Sequence, residues 1–224
     1  MSYLEWLFQK IRNFAKKEQK KVAKNTSITL EEKKPKNSTR DSFYQKLRES
    51  GLFDKLRQSQ VDGINFILDG WDKSGLQDKR WLAYMLATTY HETARTMLPI
   101  KEYGKGKGRP YGRKIKMNRT PYTKPDKLYY GRGYVQLTWY ENYDKMGKYV
   151  GADLLNLPEL ALEPEIAFKI MLEGMVRGTF TGKSLGKYFN EEKNDPYRAR
   201  RIINGMDKAT KIKEYHLKFL DCLS

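Results

Sequence analysis

The chain has 224 residues, 39% hydrophobic and 13% aromatic, enough for one domain with a real core and an appendage. No apolar run approaches the roughly 20 residues needed to cross a bilayer. The apolar patch from Tyr3 to Phe8 is broken by Glu5 and has no basic segment before it, so no signal peptide is expected. Cys222 is the only cysteine, which excludes an intrachain disulfide and suits synthesis in a reducing cytoplasm. An envelope target would then be reached only after release or delivery.

The net charge of +17 is unevenly placed. Residues 1–40 carry 11 Lys/Arg against 4 Asp/Glu, and residues 101–127 carry 10 against 2, so the other 157 residues contribute only +2. Two basic patches on a nearly neutral body imply local attraction to a polyanion. Nucleic acid, anionic lipid and the acidic polymers of a bacterial envelope all qualify, and charge does not choose among them.

In chain order, residues 1–22 place Leu4, Leu7, Ile11 and Phe14 at helical spacing among lysines. This segment reads either as a basic tail or packing arm, or as a membrane-surface anchor. Residues 23–40 are polar and without period, which predicts a linker. The expected division is therefore an extension over 1–40 and a domain over 41–224. From Asp41 the chain reads as mainly helical. Ser59 and Asp62 give a capping pattern ahead of Val61, Ile64, Ile67 and Leu68. Residues 78–97 are apolar almost all round, as in a buried central helix, with Pro99 ending it. Residues 103–127, with Gly104, Gly106, Gly108, Gly112 and three prolines, predict a long loop or short hairpin. Further helices are expected at 139–150, 163–178, 184–190, 196–203 and 208–222, the 196–203 helix opened by Asp195-Pro196.

Glu92 follows the apolar stretch Trp81–Tyr90. A carboxyl group held against apolar walls is favoured in its protonated form, the state a general acid needs. Glu102 lies ten residues on, about 15 Å away along an unbroken helix, but Pro99 turns the chain so that it can fold back. Lys101 and the basic loop would keep Glu102 ionised. One protonated and one charged carboxyl is the division of labour of glycoside hydrolysis, although most such pairs are solvated surface charges. The chain has only His91 and His216 and no tetrahedral ligand spacing, so neither a metal nor another cofactor is implied. His91 reads instead as a core histidine orienting the helix. Gly104–Gly108 lacks the ending of a phosphate loop and reads as a flexible basic loop.

Three blocks carry a resemblance. Leu82–Thr93, containing His-Glu-Thr, resembles the acid-bearing helix of glycoside hydrolase family 19, the family of plant-type chitinases and many phage endolysins. Tyr129–Tyr143 (YYGRGYVQLTWYENY) is similar to its substrate-groove signature, and Ile202-Ile-Asn-Gly matches part of a late element. The resemblance covers roughly residues 41–224. It implies a mainly α, lysozyme-like two-lobed helical domain with a substrate groove and at most a small β-hairpin. It also implies Glu92 as general acid, Glu102 as the base that activates water, and Thr138 helping to hold that water. Tyr130, Gln136 and Asn142 would bond sugar hydroxyls and N-acetyl groups, and Asn204 matches a late substrate-binding Asn. Arg132 would be either an anchor beneath the groove or an electrostatic partner of the acids. The family inverts, which predicts carboxyl groups about 6.5–9.5 Å apart. The chain departs from the plant enzymes in lacking disulfide cysteines and in its shorter path between the glutamates.

The function expected on these grounds is an endolysin-type lysozyme, a monomer, cutting the β-1,4 glycan of peptidoglycan. The basic segments 1–40 and 101–127 would draw it to an anionic envelope. The alternatives are a chitinase acting on N-acetylglucosamine polymers and a non-catalytic glycan-binding virion protein. Specific nucleic-acid binding has no motif behind it.

Overall fold

The computed structural model describes residues 36–224; the amphipathic segment 1–22 lies outside them. Six helices carry the architecture: α1 (Lys36–Glu49), α2 (Gln58–Ser74), α3 (Lys79–Glu92), α4 (Tyr140–Val150), α5 (Pro164–Arg177) and α6 (Ala209–Cys222). Two strands of two residues each, β1 (Ile100–Lys101) and β2 (Arg132–Gly133), form the sheet, and short 3-10 turns fill the connections. This mainly helical domain with one small sheet is the lysozyme-like arrangement expected.

Helix α3 is the axis of the core. Asp78 caps it by accepting from the Arg80 N–H at 2.9 Å, and the next turns bury every residue from Trp81 to Tyr90. Full burial of each large apolar side chain contributes about 1.5–3 kcal/mol. α6 runs against α3 through Ile212, His216 and Phe219, and α1 packs on α6. The helix ends at Glu92, not near Pro99 as the sequence pattern predicts. Thr93 Oγ1 bonds back to the Thr89 carbonyl at 2.7 Å, and Ala94, Arg95 and Met97 all take positive φ, so the backbone leaves the helix there.

Other boundaries also move. α1 begins at Lys36, inside the expected linker, and Arg40 ties it to α2 by bonding Asp69 and Asp72. α2 begins at Gln58 and is closed by Gln60, whose side-chain oxygen accepts from the Arg57 N–H at 2.9 Å; Ser59 is not its cap. The expected helices at 184–190 and 196–203 are 3-10 turns, Leu185–Lys187 and Arg198–Ile202. Asp195 accepts from the Arg198 N–H at 2.9 Å just ahead of the second, whose cap position is held by Tyr197 and not by Asp195. α4, α5 and α6 fall within two residues of their predicted ends.

The sheet is not a hairpin. β1 pairs antiparallel with β2, Ile100 opposite Gly133 and Lys101 opposite Arg132, across the whole basic loop. The loop has its own small reversal, an Ile115–Pro121 bridge. This pairing brings the chain after Pro99 back beside the Gly131-Arg132-Gly133 segment.

Candidate active site

Gly131-Arg132-Gly133 is the platform on which the site is built. Arg132 is 2% exposed and donates to the carbonyls of Leu128 and Tyr130, to the Tyr143 hydroxyl and to Glu159. Its guanidinium also lies 3.7 Å from the centre of the Tyr130 ring. Arg132 is thus an anchor for the segment and makes no contact with Glu92 or Glu102. Close approach requires a glycine at position 133 and leaves little room for a side chain at 131. A Cβ at Gly131 would meet Gln136 Oε1 at 2.6 Å, and one at Gly133, where φ is +84°, would meet the Ala161 carbonyl at 2.7 Å.

Above this platform lies a cleft of about 540 Å³. Glu92, at the end of α3, lies on it with Ile203, Asn204 and Gly205; Gln136, Leu137, Thr138, Trp139 and Asn142 lie on it too, from the segment leading into α4. Tyr111 and Met117 reach it from the basic loop. The structure therefore brings Glu92, Gln136, Thr138, Asn142 and Asn204 to one cavity from three separate parts of the chain. Asn142 Nδ2 donates to the Thr138 carbonyl at 2.9 Å, which fixes the two relative to each other. Gln136 spends its amide on the Ile100 and Gly133 carbonyls, joining the cleft to the sheet.

Glu102 is one step removed. It does not line the cleft, but Tyr111, which does, donates its hydroxyl to Glu102 Oε1 at 3.0 Å. The Gly131 N–H donates to Oε2 at 3.2 Å, while the Glu102 N–H donates to the Gly131 carbonyl at 2.8 Å. The chain after Pro99 thus runs back along the Gly131 segment, and both carboxylate oxygens of Glu102 are held there. Burial, then the hydrogen bond to Glu102, pushes the Tyr111 hydroxyl up to about 12, so it stays a donor across the neutral range. Tyr130 is not at the surface of the cleft; its ring is buried under Arg132.

Two features were not read from the sequence. Arg200, from the Arg198–Ile202 turn, donates to Glu92 Oε1 at 2.6 Å, so the carboxylate meets a cation where apolar walls alone were expected. The Arg200 Nε also donates to the Asp207 carbonyl at 2.9 Å, locking the guanidinium in place. Trp139, at φ +76°, meets the edge of Tyr111 with ring centres 5.7 Å apart, and Arg119 lies over its ring. Together they give the cleft an aromatic wall suited to a sugar face. His91 differs from expectation as well. It is half-buried, not core, and lines a separate recess with Tyr215, Lys208 and Lys211, where burial lowers its pKa.

Comparisons with known proteins show what the chain and its fold are similar to. Residues 69–176 match the glycoside hydrolase family 19 model described as Chitinase class I. Endochitinase 1 of Theobroma cacao is 40% identical over 103 residues, 41% of this chain and 31% of that one. Endochitinase A2 of Pisum sativum is 51% identical over 47 residues, 20% of this chain and 14% of that one. The matches thus span less than a third of either relative. In three dimensions, chitinase C from Streptomyces griseus superimposes with a TM-score of 0.54 at 23% identity, covering 82% of this chain and 90% of that one.

Proposed function

We propose that this chain, which carries a glycoside hydrolase family 19 chitinase domain, hydrolyses β-1,4 bonds of an N-acetylglucosamine-containing glycan by general acid/base catalysis. The observation that carries the reading is the position of Glu92. It stands at the end of α3 inside a cleft with Thr138, Asn142 and Asn204, where a bound glycosidic oxygen can reach it. Glu92 protonates the leaving oxygen. Glu102, held behind the cleft by Tyr111 and the Gly131 N–H, is the base that draws the proton from an attacking water, and Thr138 on the cleft wall helps to orient that water. Gln136, whose amide is committed to two carbonyls, shapes the floor, and Asn142 and Asn204 offer amides to hydroxyl and N-acetyl groups.

The relatives named above are chitinases, which favours a chitin-like polymer as the substrate over the peptidoglycan expected from the sequence. The peptidoglycan reading keeps one specific support, the excess of ten cations over two acids across residues 101–127 beside the cleft. Hydrolysis of chitohexaose and of purified peptidoglycan, followed by mass analysis of the fragments, separates the two. The anomer released at the first turnover reports the stereochemistry, and inversion is expected. Glu92→Gln should lower kcat on the preferred glycan by about 10²–10⁴-fold. Unchanged turnover in that variant would sink the assignment of the acid.

A further inference from the structure

Beyond the carboxylates, one end of the cleft gathers cations with no acid among them. Lys183 and Arg201 both line it. They come from different segments that the fold clamps together: Thr181 Oγ1 donates to the Arg201 carbonyl at 2.6 Å and to the Ile202 carbonyl at 3.0 Å. The loop carrying Lys183 is itself turned sharply back after α5. Gly178 at its start has φ +72°, and a Cβ there would meet the Lys183 carbonyl at 2.8 Å. Lys187, exposed on the following 3-10 turn, does not line the cleft but stands outside it, where it feels the charges of Lys183 and Arg201. Of the acids around this end, Asp195 is paired with Arg198 and Glu92 with Arg200, while Glu191 and Glu192 are exposed and line no part of the cleft.

We propose that Lys183, Lys187 and Arg201 form an anion subsite at the end of the cleft, which takes a carboxylate borne by the bound glycan. The proposal rests on the reading of the cleft as a glycan site, and it adds a substrate class to it. Neutral chitin gains no more than single hydrogen bonds from three cations, whereas an anionic group neutralises their mutual repulsion. That repulsion registers at Lys187, whose pKa is lowered chiefly by Lys183, with Lys193 and Arg201 adding to it. The bonds from Thr181 fix the backbone segments that carry Lys183 and Arg201 relative to each other before any ligand arrives, so only the side chains remain to be ordered on binding. A lactyl or peptide carboxylate on every second sugar is the kind of group that fits.

The test measures equilibrium binding by the full chain carrying Glu92→Gln, so that no substrate is consumed. The two probes are chitohexaose and a hexasaccharide of alternating N-acetylglucosamine and N-acetylmuramic acid with free lactyl carboxylates. At low salt the carboxylate-bearing probe should bind about fivefold more tightly, the size of one or two solvent-exposed charge contacts. That advantage should fade at high salt and disappear in Lys183→Gln/Lys187→Gln. Lys105→Gln/Lys107→Gln, in the basic loop, separates the subsite from general attraction. The proposal is overturned if the two probes bind equally, or if the advantage survives the first double variant and is lost in the second. Should the unsubstituted chain cut neither probe while the charge-dependent preference persists, the hydrolase reading fails and the subsite stands.

Discussion

Arg200 Nη1 lies 2.6 Å from Glu92 Oε1, although the two are 108 positions apart in the chain. The contact joins the end of α3 to the Arg198–Ile202 turn and closes one wall of the cleft. Glu92 sits where the last carbonyls of α3 point, a position that opposes negative charge, and the guanidinium offsets that opposition. The pair is largely enclosed, with side-chain exposures of 4% for Arg200 and 16% for Glu92. Removing the cation leaves a carboxylate without its counterion in a poorly solvated corner. Arg200→Gln should therefore destabilise the fold by about 2–3 kcal/mol, below the largest losses for fully buried pairs. It should also lower kcat on chitohexaose, because the acid loses the group that fixes its position. Urea denaturation and steady-state turnover check the two effects. A variant as stable as its parent, with the same kcat, would show the pair to be incidental.

Tyr111 offers a gentler probe of the second carboxylate. Its hydroxyl supplies one of the two hydrogen bonds that hold the Glu102 side chain. Tyr111→Phe keeps the ring against Trp139 and removes only that bond. A hydrogen bond to a charged group is worth about 1.5–3 kcal/mol, so kcat should fall roughly 10–100-fold with little change in thermal stability. Loss of KM alone, with kcat intact, would assign Tyr111 to sugar contact and leave Glu102 without its clamp in the reaction.

The sequence blocks were enough to mark Glu92, Thr138, Asn142 and Asn204, because each sits in a short motif whose local structure carries it to the cleft. Arg200 was hidden for the opposite reason. In the run Arg198-Ala-Arg-Arg-Ile, only the phase of a 3-10 turn decides which arginine faces inward, and that phase buries Ala199, Arg200 and Ile202 while Arg201 faces solvent. The true end of α3 was equally hidden, since Pro99 is the stronger local signal and the stop is made by Thr93 and three left-handed residues. Tyr130 misled in the other direction. It belongs to the groove motif, yet its ring serves Arg132 and not the cleft.

Gly133 tests whether the platform under the cleft is as constrained as its geometry indicates. Its φ of +84° already disfavours any L side chain, and a methyl group would press on the Ala161 carbonyl. Backbone cannot step aside as a flexible side chain can. Gly133→Ala should cost about 2 kcal/mol or more and loosen the pairing of β2 with β1 that positions Glu102. The predicted signature is a lower urea midpoint together with reduced kcat. A variant whose midpoint stays within about 0.5 kcal/mol of the parent's stability would mean the segment has slack.

His216 sets an acid limit on the fold. The ring is fully buried in α6, stacked on Phe189 at 5.2 Å between centres and near Tyr84, and neither nitrogen has a hydrogen-bond partner. Burial holds its pKa down to about 4, against 6.5 for the free side chain. In the window between those values the unfolded chain binds the proton and the folded chain does not. Stability is therefore fully present above about pH 6.5 and falls as the pH drops towards 4, by an amount on the order of 3 kcal/mol. His216→Phe keeps an aromatic ring of similar size and removes the titrating group. Stability measured by denaturant at pH 7 and pH 4.5 should then differ less in the variant than in the parent. An equal pH dependence in both would place the acid sensitivity at other groups.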